Sequence, residues 1–272
     1  MTHRAKPLLS AAVAWLVLAA PCLAAAENTV AVWGNYYLER STRVISPEVA
    51  LSLDLPEETR LQLSYLVDNI TSASGTFQAT VNDDPFQEFR QEVRMQVDTE
   101  VLGFLRPGLL ARYSYEPDYT SVTYGASLSA NLFEDTTTVT LSAQRQNDAI
   151  MARGNNFEHT LDTTRVALNY TQILTKHLVA GLNFEAQWLD GYTENPYRSE
   201  EHPRERQRFA AGGWLAYRFP RPGTTLRVGY RYYWDDWQVD AHTFDLQWFQ
   251  RVARDLEIVP QLRIHTQTGV DF

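Results

Sequence analysis

Cysteine occurs once in this 272-residue chain, at Cys22. A disulfide framework and a cysteine-built zinc site are therefore excluded. Basic residues are in the minority, with 24 Lys and Arg against 33 Asp and Glu and a net charge of −9, and no basic run occurs. That argues against nucleic acid as a partner. From Glu27 onward no stretch approaches the roughly 18 consecutive apolar residues that a membrane-spanning helix needs. A 3.6-residue apolar stripe is missing too, so amphipathic helices are not expected. The chain also lacks G-x-S-x-G, H-E-x-x-H and EF-hand spacings, and neither a metal site nor a cofactor is expected from it.

What is present begins with an address. Arg4 and Lys6 precede an apolar run from Leu8 to Leu18, and small residues follow, ending in Cys22-Leu23-Ala24-Ala25-Ala26. A charged start, a short apolar centre and a small-x-small site are the layout of a secretory signal peptide. Residues 1–26 are assigned to it and 27–272 to the mature domain. Cleavage after Ala24 or Ala26 removes Cys22, and loss of Arg4 and Lys6 takes the net charge to −11. Pro21 makes Cys22 a poor lipoprotein anchor.

Beyond the address, 44% of the chain is hydrophobic and 12% aromatic, too apolar for a disordered tail. Alternation dominates. Leu61, Leu63, Tyr65 and Val67 alternate with Arg60, Gln62, Ser64 and Leu66; Val122, Tyr124, Ala126, Leu128 and Ala130 with Ser121, Thr123, Gly125, Ser127 and Ser129; Val228, Tyr230, Tyr232 and Trp234 with Arg227, Gly229 and Arg231. Successive strand side chains point to opposite faces, so each segment has an apolar face and a wet one. The expected strands are 29–40, 44–55, 59–69, 87–98, 104–115, 119–131, 137–147, 159–172, 178–190, 207–219, 224–234, 237–249 and 256–267. Many are about twice the usual soluble length, which suits a tilted crossing of the hydrocarbon layer. Aromatic residues gather near strand ends (Trp33, Tyr36, Tyr37; Tyr113, Tyr115, Tyr119; Trp188, Tyr192; Tyr232 to Trp234, Trp237), where a barrel meets the membrane–water boundary. A soluble sandwich explains these features less well. The long polar connections, 70–86, 148–158 and 191–206, fall only on alternate joints, as loops on one side of a barrel do.

The fold expected is an all-β antiparallel transmembrane barrel of about 12–14 strands, with outer-membrane lipid and the barrel-assembly machinery as partners. Thirteen strands is an odd count, whereas single-chain bacterial barrels have even ones. Either one strand is miscounted, or a closing C-terminal segment is missing past Phe272.

Two segments carry a resemblance. Asp68-Asn69-Ile70-Thr71-Ser72-Ala73-Ser74-Gly75 ends the third strand, and Pro260-Gln261-Leu262-Arg263-Ile264-His265-Thr266-Gln267 with Asp271-Phe272 ends the chain. With the signal peptide and alternation, these resemble an uncharacterised family of bacterial outer-membrane proteins, a domain of unknown function with Asp-x-Ile-Thr-x-Ala-Ser and Pro-x-x-Arg-x-x-x-Gln segments. Ser72, Ile264 and His265 depart from its usual residues. The resemblance implies a location and an architecture, not a reaction, and family members continue beyond the Asp-Phe pair.

The strand at 87–98 puts Glu88, Arg90, Glu92, Arg94, Gln96 and Asp98 on one face. A charge near the bilayer midplane costs about 2–4 kcal/mol, so this ladder is expected to face a lumen. Arg227, Arg231, Arg263 and His265 fall on wet faces as well. The ladder reads either as a selective channel lining or as paired charge filling a narrow barrel. Asp68, Thr71 and Ser74 are expected to order the loop they open. The acidic loop groups Asn82-Asp83-Asp84, Asp148, Glu200-Glu201-His202 and Asp235-Asp236 read as solvated charge. His265 near Thr243 and Asp245 is the best catalytic grouping, and it lacks a local motif. The function expected is non-enzymatic: a channel, or a scaffold for a periplasmic or outer-membrane partner. The alternatives are a hydrolase with a His-based lumen or rim site, and a surface-binding barrel.

Overall fold

A computed structural model describes residues 28–38, 42–72, 86–151, 157–194, 196, 201–220, 223–253 and 256–269. The assigned signal peptide, Ser74, the 82–84 group, Glu200 and the Asp271-Phe272 pair lie outside them.

Every regular element is a strand: β1 (Thr29–Leu38), β2 (Thr42–Leu55), β3 (Thr59–Ser72), β4 (Phe86–Thr99), β5 (Leu105–Glu116), β6 (Tyr119–Leu132), β7 (Thr137–Met151), β8 (Glu158–Thr175), β9 (Leu178–Gly191), β10 (Glu205–Arg218), β11 (Thr224–Asp235), β12 (Asp240–Ala253), β13 (Leu256–Ile258) and β14 (Gln261–Gln267). Each pairs antiparallel with its sequence neighbour, in the order β1 to β13, and β14 pairs with β12. β13 and β14 therefore share one partner. They are a single crossing interrupted at Val259-Pro260, where proline has no N–H to give the ladder. Among the described residues fourteen elements make thirteen crossings, matching the sequence count, and the unexpected feature is the break. Among the described residues β1 does not pair with β13 or β14, so the sheet is open between these edges.

The registers confirm the period-2 reading strand by strand. Met95 sits opposite Ala111, Ala111 opposite Tyr124, and Leu128 opposite Leu141, while Glu92 sits opposite Ser114 and Ser121 opposite Asp148; an Arg145–Asp162 pair interrupts the apolar parity toward one end. Apolar and polar residues thus sort onto two continuous faces. Burial is inverted relative to a soluble protein. Leu109 is 67% exposed and Leu182 61%, whereas Ser114 and Ser121 are each 1% exposed and Glu92 7%. A curved sheet crowds side chains on its concave side and splays them on its convex side, so the polar face is the inner wall and the apolar face the outer one. In water such an outer face would be an aggregation surface; under hydrocarbon it is solvated.

Rings mark both ends of the outer face. At one end Trp234 stacks on Phe209, centroids 5.5 Å apart, and on Tyr232 at 5.3 Å, with Trp188 edge-on to Phe209. At the other, Tyr217 meets Phe219 at 4.9 Å. Phe209 and Tyr217 share β10, about 26 Å apart along the strand at ~3.3 Å per residue. A strand tilt of about 40° reduces this to about 20 Å of height, close to a barrel's apolar band. Trp33 and Tyr233 do not belong to this girdle. Trp33 lies opposite Glu48 on the polar parity, and Tyr233 gives its hydroxyl to Asp235.

Candidate functional site: the charged inner wall

The inner wall has three sectors. On β2 to β5 it is densely ionic. Arg90 pairs with Asp68 at 2.5 Å and reaches Glu116 at 3.9 Å. Glu92 is bracketed by Arg94 at 3.1 Å and Arg112 at 2.9 Å, and Arg60 meets Asp54 at 2.8 Å. The backbone register explains this: Arg94 stands directly opposite Arg112, and Glu92, one pleat along, is shared between both. On β6 and β7 the wall carries hydroxyls and amides, such as Ser121, Thr123, Ser127, Ser129, Thr140 and Gln144. From β8 to β14 arginine dominates again, with Arg165, Arg206, Arg208, Arg227, Arg231 and Arg263 against Glu185, Asp235 and Asp245.

The expected ladder residues Arg90, Glu92, Arg94 and Asp98 lie on this wall, as do Arg227, Arg231, Arg263 and His265, in the opposite sector. Glu88 lies in β4 on the same parity; its side chain is outside the described residues. Asp68 and Thr71 do not open a loop. Both sit inside β3, which continues to Ser72; Asp68 turns inward to Arg90, and Thr71, opposite Gln87, is on the other face. The alternation runs on through the segment, and an arginine across the strand is a stronger partner for a buried carboxylate than a backbone amide.

The catalytic grouping is incomplete. Thr243 Oγ1 and His265 Nδ1 are 2.9 Å apart, but Asp245 accepts from Arg263 at 2.7 Å and Gln261 at 3.2 Å instead of orienting the imidazole. The far ring nitrogen of His265 faces Gln267 at 3.3 Å. A threonine–histidine pair whose third partner is a neutral amide gains orientation from it but no charge to stabilise an imidazolium, and is weakly activated. Among the described residues no group of three or more His, Asp or Glu could hold a metal ion.

Sequence reasoning missed two features. Neither Asp148 nor Asp235 is solvated loop charge: Asp148 lies inside β7, buried and accepting from Gln146, and Asp235 ends β11. The Asp235 side chain is fully enclosed and accepts hydrogen bonds from Arg206, the Tyr233 hydroxyl at 2.7 Å, and the amides of Trp237 at 3.0 Å and Val239 at 2.9 Å. Arg206 also lies over the Trp237 ring at 4.0 Å. Nearby, Phe157, His159 and Tyr192 form a ring cluster at the mouth, where burial and Glu194 push the Tyr192 phenol above its usual range. The other missed feature is Trp214, which is on the inner wall. The signal was in the sequence: Phe209, Ala211, Gly213, Leu215 and Tyr217 occupy the outer parity of β10, leaving Trp214 with Arg206 and Arg208.

Comparison with known proteins follows this geometry. A family profile described as a protein of unknown function, DUF3570, matches residues 75–164 and 158–272. The 68–74 segment precedes the match. No curated protein matches the chain. Among solved structures, an anion-selective porin from Comamonas acidovorans superposes with a TM-score of 0.53 at 8% identity, over 89% of this chain and 90% of that one. That likeness shows an outer-membrane porin-like barrel fold. A ferric enterobactin receptor from Pseudomonas aeruginosa gives 0.49 at 10% identity, over 85% of this chain and 43% of the receptor, and the Pseudomonas putida toluene transporter TodX gives 0.42 at 8%, over 89% and 85%.

Proposed function

We propose, for a chain that belongs to the DUF3570 family of proteins of unknown function, that it is an outer-membrane channel for small charged solutes, not an enzyme. The observation that carries this reading is the inverted distribution of polarity. Arginine and carboxylate groups crowd the concave face while leucine, valine and aromatic side chains are exposed on the convex one. Lipid solvates the second arrangement, and an aqueous lumen solvates the first. The ion pairs on β3 to β5 hold their side chains against the wall and leave the remaining arginines as the unbalanced charge.

Full-length protein extracted from native outer membranes and placed in planar bilayers should form discrete conducting steps. Arg94→Glu reverses one wall charge and should move the zero-current potential in a salt gradient toward cation preference. Correctly folded protein that conducts nothing would support a plugged scaffold and overturn the channel.

A further inference from the structure

The two ionic sectors treat arginine differently. On β3 to β5, Arg60, Arg90, Arg94 and Arg112 each have a carboxylate within ion-pair distance. On β10 and β11, Arg208, Arg227 and Arg231 have none among the described residues. Their nearest acids are already engaged: Asp235 by Arg206, Asp245 by Arg263, and Glu185 by Gln187 at 2.7 Å and Arg165 at 3.9 Å. Arg208 is half-buried, and its Nε is enclosed without a hydrogen-bond partner. Guanidinium cannot shed its proton at any ordinary pH, and a partly desolvated cation without a counter-charge is unfavourable. Arg208 and Arg227 are partly buried and Arg231 is exposed; three cations in one file without an ion-paired carboxylate imply a counter-charge that arrives from the lumen.

The space for it is present. A cavity of about 320 Å³ is lined by Trp214, Arg227, Arg231, Asp245 and Arg263. A second, of about 150 Å³, is lined by Arg208, Arg231, Tyr233 and Glu185. Arg231 borders both. Arg227 lies over the Trp214 ring, 4.3 Å from its centroid. The indole is seated against Gly181, where an added Cβ would come within 2.3 Å of the ring. The glycine thus makes the slot, the indole fills it, and the ring gives Arg227 a resting place outside ion-pair distance of Asp245, whose carboxylate lines the same cavity.

We propose that these adjoining cavities form a binding track for carboxylate-bearing solutes. Arg227 and Arg231 are the principal ligands, Arg208 extends the track, and Trp214 positions Arg227. Carboxylate is favoured because its two coplanar oxygens match the guanidinium fork. The proposal deepens the channel reading and rests on it for the solute's route, but binding is measurable without conduction.

The test uses full-length protein in detergent, with acetate as probe and chloride at equal ionic strength as reference. Acetate should raise the unfolding temperature of the wild type and slow chloride current through single channels. In R227Q/R231Q both effects should weaken by on the order of tenfold or more in acetate concentration, a loss of at least about 1.4 kcal/mol. R227K/R231K should restore only part, because ammonium lacks the fork, and W214L should weaken acetate a few-fold. A heat-dependent shift in gel mobility reports that each variant is folded. Acetate binding with no conductance would sink the channel and leave the site standing. Conductance with no acetate effect, an acetate effect unchanged in R227Q/R231Q, or an effect of inorganic phosphate alone would overturn the carboxylate track.

Discussion

Asp235 shows how much one carboxylate can organise at the rim. It accepts from an arginine, a phenol and two backbone amides within the β11–β12 connection, and none of its side chain is exposed. Removing it leaves Arg206 beside enclosed, unpaired donors. Asp235→Ala should therefore destabilise the folded protein by about 3 kcal/mol, the scale for breaking a buried charge pair, seen as a lower midpoint of chemical unfolding in micelles. Asp235→Asn, which keeps an acceptor, should lose less; equal midpoints for wild type and Asp235→Ala would contradict this role. From sequence alone Asp235-Asp236 reads as exposed charge, because alternation reports which face a strand residue takes and nothing about a tight connection folding back on its own side chain. The ladder residues Arg90, Glu92 and Arg94 were legible for the opposite reason: they sit mid-strand, where parity decides everything.

At the scale of elements, the short connections carry strain that the strands do not. Glu57 and Glu58 join β2 to β3 with φ of 61° and 52°, and Phe133, Glu134 and Asp135 join β6 to β7 with φ of 54°, 56° and 62°. The left-handed region costs a side-chain-bearing residue roughly 1–2 kcal/mol, less for asparagine and little for glycine. Glu57→Asn with Glu58→Gly should stabilise the β2–β3 hairpin by about 1 kcal/mol and raise the unfolding midpoint; a lower midpoint would mean that these glutamates hold the turn through their side chains. Strand extents were legible to within a few residues because turns are marked by polar and proline-containing clusters. The break at Val259-Pro260 was not, since β14 resumes the same parity against β12 and the alternation passes straight through it.

At the scale of the whole molecule, fold and site follow from one sorting rule. Wet parity faces in, oily parity faces out, and the antiparallel neighbours keep this phase from β1 to β14. The rule was visible in the sequence wherever strands were long. It could not say which charges would be paired, because pairing depends on register between strands: Arg94 meets Arg112 and shares Glu92 with it, whereas Arg227 meets Gln247 and Ala216 and forms no ion pair among the described residues. The unbalanced sector is thus a product of the folded register, not of composition.

The central claim is that hydrocarbon covers the outer face. With Cys22 replaced by alanine, single cysteines placed in turn at Thr123, Tyr124, Ala126, Ser127 and Leu128 can carry a fluorophore in protein reconstituted with brominated lipids. The account predicts quenching at 124, 126 and 128 and little at 123 and 127. Uniform quenching, none at any position, or the reverse alternation would contradict it.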